Sequence, residues 1–330
     1  MTALSVSVNT GHPASPRLLR WLVRLHRPAL WTWAAVIVVL AAALLWLGGP
    51  LTDASADAWR QYYACKSGTA CSYDQDAILR YKDVYNYTTW AVLALPFAVA
   101  AWAGGSLIGR EMENGTAQLA WTQGIRPTHW LATKLATPAA LVTAGTGLLA
   151  LLHHRAWSAG DGRIPTAKSW SSFETFYANG PLPVALALTG LAGGALIGLV
   201  AKRSLAALVG GLFFTAFAWA ATQLALPHLW PTATNVTSLR DNGPSGAGIT
   251  LSSGLLTSGG DRIADPYCGS DLSLQCKALY AKLHAVSFYK DYHPASHFWP
   301  LHLMASGVLL ALTALLTLVA FRLLKHRTAS

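Results

Sequence analysis

Six stretches of this chain run without a single Asp, Glu, Lys or Arg, and their lengths leave few folds open to it. The charge-free gaps hold 25 residues between Arg27 and Asp53, 26 between Asp83 and Arg110, and 20 between Lys134 and Arg155. They hold 27 between Glu174 and Lys202, 36 between Arg203 and Arg240, and 30 between Asp291 and Arg322. Crossing ~30 Å of hydrocarbon takes roughly 20 apolar residues, because a helix rises ~1.5 Å per residue and satisfies its own backbone there. Six membrane spans follow, near 29–49, 89–109, 135–152, 184–201, 205–226 and 299–321. Only 12% of residues are charged, 53% are apolar and the mean hydropathy is +0.37, which excludes an ordinary soluble domain. The expected fold class is an all-α polytopic membrane protein.

Six spans place both ends of the chain on one face. That face would hold Arg17, Arg20, Arg24, Arg27, Arg110, Arg126, Lys134, Lys202, Arg203, Arg322, Lys325 and Arg327, with only Glu111 and Glu113 against them. The whole formal charge of +10 therefore falls on one side, and the excess of Lys and Arg marks that side as cytoplasmic. A nucleic-acid binder is excluded, because the cations track the span ends. No apolar core follows the N-terminus early enough for a signal peptide. Cys65, Cys71, Cys268 and Cys276 all fall in loops assigned to the outside. Four cysteines allow three pairings. Cys65–Cys71 with Cys268–Cys276 is favoured, since each closes a short loop in an oxidising exterior.

Along the chain, residues 1–16 are expected to be disordered. Residues 17–28 form an interfacial helix, since Arg17, Arg20, Arg24 and Arg27 recur on one face with Leu18, Trp21, Leu22 and Leu25 opposite. Residues 29–226 carry spans 1–5, the outer loop 50–88 and the connection 110–134. Residues 227–298 form an extracellular loop subdomain, and 299–330 hold span 6 and a cytoplasmic tail. Within the loops, Gln75–Tyr87 and Leu272–Tyr289 are expected to be helical. The Gly- and Ser-rich run from Asp241 to Gly260 reads as a mobile loop. The aromatic residues of 153–183, among them Trp157, Trp170, Phe173, Phe176 and Tyr177, suit a belt at the membrane surface. Gly190, Gly194 and Gly198 recur every four residues in span 4, which permits close helix approach to a partner in this chain or in a second copy.

Catalytic constellations are missing from the pattern. Gly162 to Ser169 reads GRIPTAKS, one residue from a phosphate-binding loop, but Ala167 replaces the second Gly, Pro165 interrupts it and no strand precedes it. Any ATPase must then be another polypeptide. His293 and His297, with Asp291 and His302 nearby, suit a membrane-interface cluster better than a metal or proton site. His153 and His154 end span 3, where polar side chains reach for the interface. No span holds a charged residue, which argues against an ion-coupled carrier. On span 5, Thr215, Trp219, Thr222 and Gln223, with Phe214, follow helical spacing and are candidates to line an apolar cavity for hydrophobic cargo, or else ordinary packing.

The connection from Arg110 to Lys134, REMENGTAQLAWTQGIRPTHWLATK, is far longer than a turn between two spans requires. Its pattern is Arg110, Glu111, Glu113, Gly115 and Thr116, then Leu119, Arg126 and Lys134. With the six-span topology and the basic helix before span 1, it resembles the membrane subunits of ABC exporters of the ABC type-2 permease family. The Trp121, Thr122, Gln123 version with Trp130 is similar to the actinobacterial branch. The resemblance implies that this connection is a coupling segment docking into an ATPase. Glu111, Glu113, Gly115, Thr116, Trp121, Thr122, Gln123 and Arg126 would then make contact, with Trp121 as the anchor. It also implies no cofactor or metal in this chain, with ATP and Mg held by the partner. The assembly would contain two copies of this chain and two of a separate ABC ATPase, in contact with membrane lipids. Two functions are open: export of a hydrophobic or amphipathic drug, antibiotic, peptide or lipid by alternating access, or an immunity or sensing module that binds an extracellular ligand.

Overall fold

The structure, a computed structural model, describes residues 27–65, 72–241, 243–266 and 273–329. The expected disordered and interfacial segments, up to residue 26, lie outside the described residues, as do Cys71 and Cys268. Six helices are long and apolar enough to cross a membrane: Arg27–Ala64, Gln75–Glu113, Pro127–Gly160, Leu182–Ala201, Ser204–His228 and Ala295–Thr328. The protein is mostly helical, as composition requires. They are numbered here as spans 1–6. With six crossings, Arg27 and Thr328 stand on the same side of the bundle, called the terminal face below.

Most of these helices outrun the apolar stretches that announce them. Span 1 passes through a wide π-helical turn at Leu47–Leu51, where Pro50 cannot supply a backbone N–H, and continues as a polar helix over Thr52–Ala64. Span 2 starts at Gln75, well ahead of its charge-free stretch, where the Asp74 carboxylate accepts from the Ala77 N–H at 3.0 Å and caps the helix. Span 3 opens with Pro127 in its first turn, the one place where a missing N–H costs nothing, and ends at Gly160.

Span 4 is the most deeply buried helix, and its glycines explain why. A Cβ at Gly194 would stand 2.4 Å from the Ala100 carbonyl oxygen of span 2, and one at Gly190 would stand 2.8 Å from that of Pro96. On the facing side, a Cβ at Gly104 would meet the Ala207 carbonyl oxygen of span 5 at 2.4 Å. Spans 2, 4 and 5 thus touch backbone to backbone, and the glycine repeat finds its partners inside this chain. Spans 1, 5 and 6 turn Val38, Phe213, Phe217, Leu303 and Leu315 outward, as helices bounded by lipid do.

The all-α expectation fails between spans 5 and 6. Ala233–Ser238 (β1), Ile249–Thr257 (β2), Arg262–Ile263 (β3) and Ala285–His293 (β4) form a four-stranded antiparallel sheet in the order β1-β4-β2-β3. Val236 pairs with Tyr289 across β1–β4, and Leu255 with Phe288 across β2–β4. The helix expected over 272–289 is cut to Leu274–Lys282, where His284 turns the chain at a φ of 51°. Beyond it AVSFYKDYH alternates in the manner of a strand. Likewise the expected mobile loop 241–260 contains β2. Cys276 and Tyr280 of the short helix pack on Leu255 and Phe288 to give the sheet a small core. Asp291 on β4 accepts from Thr234 Oγ1 at 2.5 Å, Ser252 Oγ at 2.9 Å and Arg262 Nη1 at 2.6 Å, tying all four strands. The Thr234 hydroxyl foremost, then Ser252 and Arg262, hold its carboxyl below the usual aspartate range. Neither Cys65 nor Cys276 is a free thiol, but their expected partners lie outside the described residues.

The aromatic residues of 153–183 also differ from expectation. Rather than lying as a belt on the surface, Trp170, Phe176 and Tyr177 are buried against Phe298 and Leu301 of span 6.

Candidate functional site

The connection between spans 2 and 3 is built as three short pieces on the terminal face. Span 2 widens into a π-helical segment at Ala103–Gly109 and ends in the single turn Arg110–Glu113. Gly115, at a φ of +71°, reverses the chain in a backbone region that other residues enter only with strain. A helix then runs over Thr116–Thr122, and Gly124, at a φ of +90°, leads through Arg126 into span 3.

Each polar residue singled out from the sequence has a definite place. Glu111 is nearly buried and forms an ion pair with Lys134, which is 1% exposed and lies two turns into span 3. Glu113 accepts from both the backbone N–H of Ser204 at 2.9 Å and its hydroxyl at 2.6 Å, and so caps the N-terminus of span 5. Thr116 donates to the Glu111 carbonyl at 3.3 Å, and Thr122 to that of Leu119 at 2.9 Å. Trp121 lies edge-on to the buried Trp130, with ring centroids 5.7 Å apart, and its indole nitrogen is buried. Ala117 anchors the helix beneath, against a core that includes Leu107, Met112, Leu131 and Leu199.

What faces outward overlaps that set and adds Gln118 and Leu119 to it. Leu119 is 58% exposed, and Gln118, Thr122, Gln123 and Arg126 are exposed beside it. Leu119 carried no signal in sequence beyond its place in the pattern. An apolar residue two positions from a tryptophan packed on the buried Trp130 looks like core until the helix is oriented. The terminal face is tied down further by Arg327 of span 6, whose guanidinium donates to the Leu199 carbonyl at 2.6 Å, near the end of span 4.

The residues expected around a cavity on span 5 are packed. Thr215 and Thr222 are buried and donate to the carbonyls of Gly211 at 2.9 Å and Ala218 at 2.8 Å in their own helix. Phe214 lies against Gly193, Trp219 meets Phe173 edge-on at 5.2 Å, and the Gln223 carbonyl oxygen is buried. A cavity exists elsewhere, between spans 1, 2 and 3.

The opposite half of the bundle holds polar groups that sequence placed at the interface. His153 is fully buried, with Nε2 2.8 Å from Thr89 Oγ1 and Nδ1 2.9 Å from Asn179 Oδ1. Beside it Tyr85 and Thr175 share a hydrogen bond of 2.8 Å, so spans 2 and 3 are joined to the 173–180 segment. His293 sits 3.0 Å from both His297 and the Pro227 carbonyl. Among the described residues, no group of three or more His, Cys, Asp or Glu side chains is placed to hold a metal ion. The near-miss phosphate loop follows a helix rather than a strand, and its Lys168 carbonyl is taken by the Trp157 indole at 2.8 Å.

Six long apolar helices joined, on the terminal face, by a folded connection define a multi-pass membrane protein. The family model for ABC-2 membrane transporter-related proteins matches residues 34–230, more than half of the chain and all of the connection, and the chain belongs to that family. It is thus a multi-pass membrane component of an ABC transporter, in a family of typically non-catalytic subunits that pair with an ABC ATPase. Comparisons with curated proteins and with solved structures returned no match.

Proposed function

We propose that this chain is the permease subunit of an ATP-driven exporter, that two copies assemble with two copies of a separate ATPase, and that the cargo is hydrophobic or amphipathic. The terminal face is read as cytoplasmic from its cations: Arg27, Arg110, Arg126, Lys202, Arg203 and Arg322 all lie at span ends there. The observation that carries the reading is the outward side of Thr116–Thr122. It offers one exposed leucine ringed by short polar groups and Arg126, on a helix pinned to the bundle by Ala117, Trp121 and the two glutamates. An apolar anchor with a polar rim is the form that protein interfaces take. Leu119 takes the anchoring role in place of Trp121, because the indole is committed to Trp130.

The test is co-purification with the ATPase and ligand-stimulated ATP hydrolysis in vesicles. Leu119→Glu is expected to weaken association at least ~30-fold, the weight of a ~2 kcal/mol hot spot, with an unchanged elution profile. Trp121→Ala is expected to lower thermal stability instead. If no P-loop ATPase accompanies the protein, or Leu119→Glu leaves stimulation intact, the assignment is wrong. The sheet between spans 5 and 6 supports the second reading, a sensing or immunity module. Stimulated ATP hydrolysis without cargo flux is the outcome that favours it.

A further inference from the structure

Near the terminal face, spans 1, 2 and 3 part to leave a cavity of about 330 Å³. Its depth follows from its lining: Ala29 is two residues from Arg27, and Pro138 is one turn beyond Lys134. The floor is made by Leu95, Val99, Pro138 and Val142, all buried, whereas Thr32, Ala98 and Leu141 at the rim are exposed. The cavity therefore opens sideways, at the perimeter of the helix bundle where hydrocarbon stands. Pro96 and Pro138 lie on two of the helices that bound it, and each deprives its helix of a backbone hydrogen bond at that level. Trp33 lies across Gly145, two turns deeper than Pro138, and closes the inner end.

The walls are almost wholly apolar. The Thr32 hydroxyl already donates to the Pro28 carbonyl at 2.9 Å, so it offers no proton to a guest. A polar compound would lose its hydration there and recover little. The volume sits at the low end of the range for ligand cavities, suited to one chain rather than to a whole amphiphile. No carboxylate lies among the lining residues, and the exposed Arg27 stands just above the rim. An anionic headgroup would find a cation at the depth where lipid phosphates lie.

We propose that this cavity is a lipid site: it holds one acyl chain of an anionic phospholipid from the leaflet on the terminal face, with the headgroup beside Arg27. The site lies within one copy of the chain and stands whether or not the cargo is a lipid. The test reconstitutes the full chain in vesicles carrying a phospholipid with a photoreactive acyl chain, as phosphatidylglycerol or as phosphatidylcholine, and maps adducts by peptide mass spectrometry. Residues 95–102 and 137–142 are expected to be labelled about tenfold above the lipid-facing Phe213 and Phe217 of span 5, the factor carried by roughly two buried methylenes. Phosphatidylglycerol is expected to label more than phosphatidylcholine, and Arg27→Glu to erase that preference.

Filling the cavity with Ala98→Phe is expected to remove the excess labelling and leave span 5 unchanged. If that variant does not fold, Leu141→Phe fills it from another wall and makes the same prediction. Even labelling of cavity and span 5, or labelling that survives a folded filling variant, overturns the site. Cross-linking of 137–142 to residues 17–26 in lipid-free detergent also overturns it, since the chain's own N-terminal segment would then occupy the space. A preference for phosphatidylglycerol that survives Arg27→Glu overturns the headgroup assignment.

Discussion

Lys134 is 1% exposed and pairs with the carboxylate of Glu111, from 23 positions earlier in the chain. A buried ion pair is weak evidence for stability as such, because desolvating two charges offsets most of their attraction. Breaking one is another matter, since the remaining charge stays buried without its counterion. Lys134→Met is therefore expected to destabilise the protein by about 3–5 kcal/mol. Glu111→Leu combined with Lys134→Met is expected to regain most of that loss, because two apolar side chains replace two charges. Loss of the monodisperse peak after heating in detergent measures both. A double variant no better than the single one would show that the site needs the charges themselves. The pairing itself was not legible in sequence: a charge near a span end reads as solvated, and its partner is revealed only when spans 2 and 3 are folded together.

At the scale of elements, span 4 is held by absent side chains. A Cβ at Gly194 would stand 2.4 Å from one backbone oxygen, so the clash cannot be relieved by turning a flexible side chain. Gly194→Val is expected to prevent assembly of spans 2, 4 and 5 and to abolish the yield of monodisperse protein. Gly307→Ala on span 6 has nothing within 4 Å to meet and is expected to be neutral, or stabilising by up to about 1 kcal/mol through helix propensity. Equal yields for the two variants would refute the backbone contact. The glycine period was plain in the sequence, as were all six spans, because a charge-free stretch of that length has one fate in a membrane. The direction each glycine faces was not, since a period fixes a stripe on a helix and leaves the partner open. The sheet was missed for a related reason. Ser252, Ser253 and Gly254 suit a loop in isolation, and their strand exists only because β4 supplies the buried Phe288 and Tyr289 opposite Leu255 and Gly254.

For the whole molecule, the two glutamates of one short connection reach two different helices. Glu111 joins it to span 3 and Glu113 to the first turn of span 5, while Arg327 of span 6 holds the end of span 4. If an ATPase docks on Leu119, as proposed, a displacement of the Thr116–Thr122 helix would reach spans 3 and 5 together through these bonds. This gives binding and transmission separate residues. Ser204→Ala removes the hydroxyl that donates to Glu113 and leaves Leu119 and its exposed neighbours untouched. With that bond gone the motion of the connection reaches span 5 less directly, so ATP-driven flux in vesicles is expected to fall, with ATPase association unchanged. Leu119→Glu should show the opposite order, losing association first. Flux equal to that of the unaltered protein would mean that the push travels through span 3 and the Glu111–Lys134 pair alone. Loss of both association and flux would mean that the Glu113 cap shapes the docking surface rather than transmitting its motion.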